Sequence, residues 1–213
     1  MTTLLLIRHG QSQANLNGLF AGQLNPPLTE LGVQQAQRTA EFIKANYQVD
    51  KVYASDLSRA ARTGQAVADN LGLPLKTDTS LREINAGQWE GISFERLAQD
   101  YPEDYGVWLA DIGNSRPTGG ESVAELAQRI EKALTAIATE NPEKTVAVAI
   151  HAIPIRSIQW RLSGEPLSYM TQIPWVTNAS VTELFFEDGV FRLGKVAQDE
   201  HLANLITTLP KTV

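Results

Sequence analysis

The chain has 213 residues, 43% of them hydrophobic and 20% charged, with no cysteine and a formal charge of −6. This length and composition fit one folded domain with a full α/β core. The absence of cysteine excludes disulfides, thiolate metal sites and cysteine nucleophiles, and the acidic balance argues against a broad basic surface for nucleic acid.

The first predicted element is a buried strand near the amino terminus. The apolar run of residues 3–7 has no helical period and stops at Arg8, His9 and Gly10, which predicts a strand that carries polar side chains to its C-terminal end. Open α/β sheets hold their functional sites at that edge. A neutral imidazole can attack phosphorus, a guanidinium can bind phosphate oxygens, and a glycine lets the backbone approach an anion. Taken alone, the three residues also fit a turn whose histidine satisfies a core hydrogen bond.

Helices and strands are predicted to alternate along the rest of the chain. We predict helices over residues 29–47, 58–70, 93–111 (one or two short ones), 122–139 and 155–162, strands over 49–54, 73–77 and 145–150, a closing hairpin of 180–186 with 190–196, and loops over 15–27 and 114–120. Within the 93–111 segment, Trp108 and Leu109 are expected to cover apolar surface. The strand at 145–150 ends at His151, so two buried strands each finish in a histidine, and this parallel is the strongest internal support for a site.

The positive charge that an acidic protein needs for binding an anion must be concentrated locally. Arg59 is predicted to lie in the first turn of a helix, where backbone amides and the helix dipole already favour an anion. A salt bridge to Asp56 is the alternative role for this arginine. Arg62 and Arg82 fit better as solvated surface side chains.

Five segments, in order along nearly the whole chain, resemble the signature of the histidine phosphatase superfamily, which includes the cofactor-dependent phosphoglycerate mutases. The segments are residues 8–12 with Asn15, residues 55–63, residues 81–83 with 87–91, residues 120–122, and His151. The resemblance implies a three-layer α/β/α sandwich with a mostly parallel central sheet and a C-terminal antiparallel hairpin strand. It also implies a single domain over residues 1–213, with 92–120 as a small helical cap insertion.

The resemblance also implies the roles of the catalytic residues. His9 would attack phosphorus to give a phosphohistidine, and Glu83, which from the residues alone is only a loop carboxylate, would donate a proton to the leaving oxygen and then activate water. Arg8, Arg59 and His151 would hold the phosphoryl oxygens. For this chemistry, His9 must be neutral with its other nitrogen bonded to a backbone carbonyl, whereas His151 would be charged or donating, so their pKa values should differ.

A second set of residues is implied to bind the substrate phosphate together with Arg8 and Arg59. It comprises Asn15, Gly22 and Ala152, the last standing where the family usually has glycine. Trp89 and Glu90 are expected to hold their loop in shape.

Three alternatives to a phosphatase remain open at this point. A metal-dependent hydrolase would need clustered ligands, and three histidines without HExxH spacing disfavour it; we predict no metal and no cofactor. A phosphoglycerate mutase would carry a longer basic insertion with paired arginines, which residues 92–120 lack. A non-catalytic phosphate-binding domain is the third.

The remaining predictions concern partners and location. We expect a small phosphorylated substrate, no nucleic acid and no membrane, and a cytoplasmic location because residues 1–3 carry no basic region and the apolar run is only strand-long. A homodimer is possible, with Trp160, Tyr169 and Trp175 as a candidate apolar patch. His201 is expected on the surface.

Overall fold

The apolar runs form the centre of one sheet in the computed structural model, which describes residues 1–207. Within that part of the chain the strands are β1 (Thr2–Arg8), β2 (Lys51–Ser55), β3 (Leu75–Asp78), β4 (Thr145–Ile150), β5 (Val181–Glu187) and β6 (Val190–Leu193). Their order in the sheet is β3-β2-β4-β1-β5-β6. The first four in this order are parallel, and β5 and β6 are antiparallel, as the closing hairpin predicted.

The α-helices connect these strands. They are α1 (Gln13–Leu16), α2 (Glu30–Asn46), α3 (Ser58–Leu71), α4 (Phe94–Asp100), α5 (Pro102–Ala110), α6 (Val123–Glu140) and α7 (Ala152–Ser163). Short 3₁₀ turns lie at Thr79–Leu81, Gly87–Trp89, Ile112–Asn114, Leu167–Gln172 and Glu200–Leu205. Within the described residues, no helix combines the length and apolar character needed to cross a lipid bilayer.

The alternation of side chains along β1 produces two cores, one on each face of the sheet. Leu5 and Ile7 pack with residues of α2 and α3, whereas Leu4 and Leu6 pack with residues of α6 and α7. All four side chains are fully buried, and each such burial stabilises the fold by about 1.5–3 kcal/mol. The predicted three-layer α/β/α arrangement is therefore confirmed.

Two helices begin at a residue whose side chain caps them. The Thr29 hydroxyl accepts a hydrogen bond from the Gly32 amide at the start of α2, and Ser122 forms a capping box with Glu125 at the start of α6.

Helix α3 begins at Ser58, as predicted, and its N-cap residue Leu57 makes no side-chain cap bond. Helix α7 begins at Ala152, three residues earlier than predicted, because Pro154 lies in its first turn, where the missing amide proton costs nothing.

Three further predictions are wrong in detail. The segment predicted as a loop from residue 15 contains the end of α1, because Ser12 and Asn15 form a capping box. Leu109 is 52% exposed, so of the two predicted apolar side chains only Trp108 is buried. His201 is half-buried rather than on the surface, since its Nε2 lies 2.9 Å from the Thr39 hydroxyl.

Candidate active site

The two histidines meet because β1 and β4 are adjacent and parallel. Arg8 pairs in register with Ile150, and the next amide, that of His9, donates to the Ile150 carbonyl at 3.0 Å. The rings of His9 and His151 lie with their centroids 5.2 Å apart at an interplanar angle of 64°. The register of two parallel strands thus brings together residues 142 positions apart in the sequence.

Arg59 joins the histidines from the first turn of α3. Its Nε donates to His9 Nε2 at 3.3 Å. Its Nη1 and Nη2 donate to the carbonyls of Leu24 and Gly22, each at 2.8 Å. The side chain is 1% exposed, so this guanidinium links the loop after α1 to Nε2 of His9.

The hydrogen bonds of His9 define its tautomer. Nδ1 lies 2.7 Å from the Gly10 carbonyl, which can only accept, so Nδ1 carries the proton. Nε2 accepts from Arg59 and keeps its lone pair. Burial, followed by the charges of Arg59 and Arg8, lowers the pKa of His9 well below 6.5. His9 is therefore neutral, with an unprotonated Nε2 at the arginine.

His151 is the second histidine of the site. It is fully buried, and neither ring nitrogen has a hydrogen-bond partner within residues 1–207. Burial and the charge of Arg59 hold its pKa well below 6.5. Of the two predicted alternatives, burial thus disfavours the charged form of His151 and leaves the donating form, and the pKa values of both histidines move downward.

Arg8 supplies the second buried cation. It is 4% exposed, and its Nη1 donates to the Val176 carbonyl while its Nε has no partner in the described part of the chain. Burial is the main cause that lowers the pKa of Arg8 to about 10, and burial likewise lowers the pKa of Arg59 to about 10. Both arginines remain charged at neutral pH, so the site carries net positive charge in a poorly solvated position.

Glu83 is the carboxyl group of the site. Its Oε1 accepts from the Ile84 amide at 2.9 Å and its Oε2 from the Ile153 amide at 3.4 Å. Burial raises its pKa above the ordinary 4.5, which favours the protonated acid. Arg129 donates to the backbone carbonyls of Arg82 and Glu83 and so fixes the loop that carries this carboxyl group.

An open pocket lies at this edge of the sheet. Its polar or small lining residues are Arg8, His9, Asn15, Ala21, Gly22, Arg59, Glu83 and Ala152. The structure thus brings every predicted site residue except His151 to the pocket wall, and His151 lies against the ring of His9.

The three predicted binding residues are held in different ways. The Asn15 side-chain oxygen accepts from the Ser12 amide and from Asn178, which leaves its own amide N–H groups for the pocket. Gly22 has a φ of +49°, and its carbonyl accepts from Arg59. Ala152 is the first residue of α7.

The reason for glycine at position 10 is packing rather than approach to an anion. A Cβ added to Gly10 would lie 2.3 Å from the Gly32 carbonyl oxygen, and one added to Gly32 would lie 2.0 Å from the Gln11 carbonyl oxygen. The turn after β1 therefore lies directly against the first turn of α2. This contact needs glycine on both sides.

The other charged and loop residues have structural roles. Asp56 forms two hydrogen bonds with Arg82, so the alternative pairing of Asp56 with Arg59 is wrong. Arg62 is exposed, as predicted. The Glu90 carboxylate accepts from the amides of residues 23 and 86, and the fully buried Trp89 donates to the side chain of residue 118, so both hold their loop in shape.

Three residues of the site region were missed by sequence reasoning. Asn178 is buried and donates to the His9 carbonyl at 3.0 Å, Trp175 lines the pocket, and Arg129 holds the Glu83 loop. An Asn directly before the closing hairpin was the available signal for Asn178. Nothing in the local pattern marks the other two. Within residues 1–207, no group of three or more histidines and carboxylates is arranged to hold a metal ion.

Comparison with known proteins gives one family. Residues 4–199 match the family model described as the histidine phosphatase superfamily (branch 1). The chain is 32% identical over 168 residues to phosphoserine phosphatase 1 of Hydrogenobacter thermophilus, covering 79% of each chain. It is 32% identical over 167 residues to the adenosylcobalamin/alpha-ribazole phosphatase of Escherichia coli, covering 78% of this chain and 82% of that protein. The solved complex of mycobacterial glucosyl-3-phosphoglycerate phosphatase with VO3 has a TM-score of 0.84 at 29% identity, covering 92% and 99% of the two chains.

Proposed function

The chain belongs to the histidine phosphatase superfamily, and on that premise we propose that it hydrolyses phosphate monoesters of small metabolites through a phosphohistidine on His9. The observation that carries the proposal is the state of His9. Its Nε2 is unprotonated and lies 3.3 Å from the Arg59 guanidinium, so the nucleophile faces the group that would neutralise the phosphate.

The first half-reaction transfers the phosphoryl group to the enzyme. Arg8 and Arg59 hold the phosphate oxygens and neutralise their charge. His9 Nε2 forms a bond to phosphorus while the bond from phosphorus to the alcohol oxygen breaks. Glu83, whose pKa is raised by burial, gives its proton to that oxygen, so the product leaves as a neutral alcohol.

The second half-reaction returns the enzyme to its starting state. The Glu83 carboxylate takes a proton from a water molecule as the water oxygen attacks phosphorus. The bond between phosphorus and Nε2 of His9 breaks, and inorganic phosphate leaves. Glu83 is protonated again and His9 regains its lone pair, so one ester and one water give one alcohol and one phosphate.

His151 contributes a hydrogen-bond donor in this scheme. A neutral imidazole carries one N–H, and neither ring nitrogen of His151 has a partner within the described residues. A bound phosphate dianion would raise the pKa of His151, because a nearby negative charge favours the imidazolium. Asn15, Gly22 and Ala152 complete the phosphate-binding set from the pocket wall.

We propose that residues 92–120 form a cap within a single domain of residues 1–213. The charges of this segment favour hydrolysis over phosphoryl transfer to a second hydroxyl. The arginines of this segment are Arg96 and Arg116. Arg96 pairs with Asp100 at 2.8 Å and Arg116 with Glu125 at 2.7 Å. Neither arginine lines the pocket.

A small phosphorylated substrate also accords with the relatives, which are phosphatases of phosphoserine, of alpha-ribazole and of glucosyl-3-phosphoglycerate. A cytoplasmic location and a homodimer stay predictions.

The experiment that tests the proposal is steady-state hydrolysis of p-nitrophenyl phosphate by the wild type and His9→Ala. We expect loss of turnover in His9→Ala and unchanged rates in the control His201→Gln, a histidine that does not line the pocket. A chelator should change neither rate, and an added acceptor alcohol should not divert the phosphoryl group from water. Wild-type rates in His9→Ala would overturn the nucleophile assignment.

A further inference from the structure

We propose that the alcohol released by this phosphatase is uncharged and carries an aromatic or other extended apolar group. The inference rests on the proposed function and extends it from the phosphate to the rest of the substrate.

The pocket wall beyond the phosphate-binding residues is apolar. It consists of Leu19, Phe20, Phe94, Trp108, Ile153 and Trp175. Four of these six side chains are aromatic, and they come from the loop after α1, from α4, α5 and α7, and from the segment before β5. An apolar or aromatic group on the substrate would lose its contact with water on several sides against this wall.

Most of this wall is preformed. Phe20 packs edge-on against Phe94 and Trp108, with ring centroids 5.9 Å and 5.1 Å apart, and against Trp89 at 5.5 Å. Trp108 is 3% exposed and Phe20 7% exposed, so both rings are fixed by the core behind them. A substrate ring therefore meets surfaces that need not be ordered on binding, which lowers the cost of association.

Trp175 is fixed by Arg156. The guanidinium carbon of Arg156 lies 4.0 Å from the centre of the Trp175 ring. The Arg156 side chain is 2% exposed and donates to the carbonyls of Met170 and Ile173. Its charge thus stabilises the segment that carries Trp175, and Arg156 does not belong to the pocket wall.

A charged alcohol fits this pocket poorly. Among the described residues that line it, the charged or ionisable side chains are Arg8, His9, Arg59 and Glu83, and all four are engaged by the phosphoryl chemistry. A carboxylate or ammonium group on the alcohol would lie against the apolar wall without a partner, and an unpaired buried charge is strongly disfavoured. The pocket therefore favours apolar over charged alcohols.

Three alkyl phosphates whose alcohols differ little in acidity test the proposal on the wild-type enzyme. Propyl phosphate is the reference, 3-phenylpropyl phosphate adds an aromatic ring, and 3-phosphooxypropanoate adds a carboxylate. We expect kcat/KM for the phenyl compound to exceed that for propyl phosphate by roughly tenfold to a hundredfold, and the carboxylate compound to be poorer than propyl phosphate. Phosphoserine should behave like the carboxylate compound.

Two variants of the wall sharpen the test. Phe94 is partly exposed at the start of α4, and Phe94→Arg should raise relative turnover of the carboxylate compound, whereas the matched control Phe94→Leu should not. Trp175→Ala should reduce the ratio of kcat/KM for the phenyl compound to kcat/KM for propyl phosphate.

The outcomes separate the two proposals. Efficient hydrolysis of propyl phosphate with a preference for 3-phosphooxypropanoate or phosphoserine would overturn the substrate class and leave the phosphatase intact. No hydrolysis of any of the monoesters would overturn the proposed function, and the substrate class with it.

Discussion

Nε of Arg59 lies 3.3 Å from Nε2 of His9, while Nδ1 of the same ring lies 2.7 Å from the Gly10 carbonyl. One histidine is thus bonded on both sides, by a backbone acceptor that fixes its proton and by a cation that faces its lone pair. A protonated Nε2 could not accept from the guanidinium. The arrangement therefore selects the neutral imidazole that attack on phosphorus requires.

Replacement of Glu83 is expected to slow the hydrolysis of substrates with poor leaving groups more than that of substrates with good ones. Glu83→Gln should slow alcohol release from an alkyl phosphate by about 10²–10⁴-fold, because an alkoxide must be protonated as it leaves. Release of p-nitrophenolate should change far less. Single-turnover measurements on the two substrates report this step directly, and equal losses would show that Glu83 is not the acid. In the wild type, alkyl turnover should fall as pH rises through the raised pKa of Glu83.

Mild acid is expected to destabilise the empty enzyme through its histidines. The pKa values of His9, His151 and His201 are lowered from 6.5, chiefly by burial, so below pH 6.5 the unfolded chain binds protons that the folded chain does not. This contribution to the free energy of unfolding is complete above pH 6.5 and is lost as pH falls. For each of the buried residues His9 and His151, the loss is about 1.4 kcal/mol for every unit by which the folded-state pKa lies below 6.5. Glu83, with its raised pKa, opposes the trend, since its contribution declines as pH rises above 4.5.

Urea unfolding between pH 7.5 and pH 5.5 measures this effect. The free energy of unfolding should fall toward the lower pH, and the fall should be shallower in His151→Gln. Glu83 is present in both proteins, so an equal slope in the wild type and His151→Gln would contradict the lowered pKa of His151.

Anion binding is expected to stabilise the fold. Arg8 and Arg59 are buried, and burial lowers the pKa of each to about 10, so their charges gain a favourable partner when an anion arrives. Vanadate at 100 times its Kd should add about 2.7 kcal/mol to the free energy of unfolding. Thermal denaturation with and without vanadate checks this, with Arg59→Leu as the control that should lose most of the gain. An unchanged Tm in the wild type would argue against a formed anion site.

Gly10, in the turn after β1, is expected to be essential for stability. Gly10→Ala places a Cβ 2.3 Å from the Gly32 carbonyl oxygen, and the backbone shift needed to relieve that contact should cost about 1–3 kcal/mol. The matched control is Gly106→Ala in α5, where a Cβ meets nothing within 4 Å and helix propensity predicts a gain of roughly 0.5–1 kcal/mol. Chemical denaturation of both variants measures the contrast. Similar stabilities would show that the turn is free to move.

The sheet could be predicted from the sequence because its strands are uninterrupted apolar runs. Residues 145–150 read as a strand buried on both faces, and the structure has Thr145–Ile150 buried in that way apart from the partly buried Thr145. Since parallel strands end at the same edge, the histidines after β1 and β4 could be expected near each other before any coordinate was known.

Residues whose roles depend on tertiary contacts could not be predicted. Asn178 and Trp175 reach the site from the segment before β5, and no period or spacing connects that segment with His9. The sequence could not decide between the charged and the donating form of His151, because its pKa depends on complete burial and on the charge of Arg59, and neither is visible in a linear pattern. Gly10 was predicted to let the backbone approach an anion, whereas the structure requires glycine there for the close contact with Gly32 of α2.

The central claim concerns one bond, between phosphorus and Nε2 of His9. Rapid acid-free denaturation after mixing the enzyme with a ³²P-labelled monoester, followed by peptide mapping, should find label on the peptide that contains His9, stable in alkali and lost in acid. Glu83→Gln should accumulate more of this species, because its hydrolysis loses the general base, and His9→Ala should form none. Label at another residue, or hydrolysis by the wild type and Glu83→Gln with no labelled enzyme at any time point, would contradict the account.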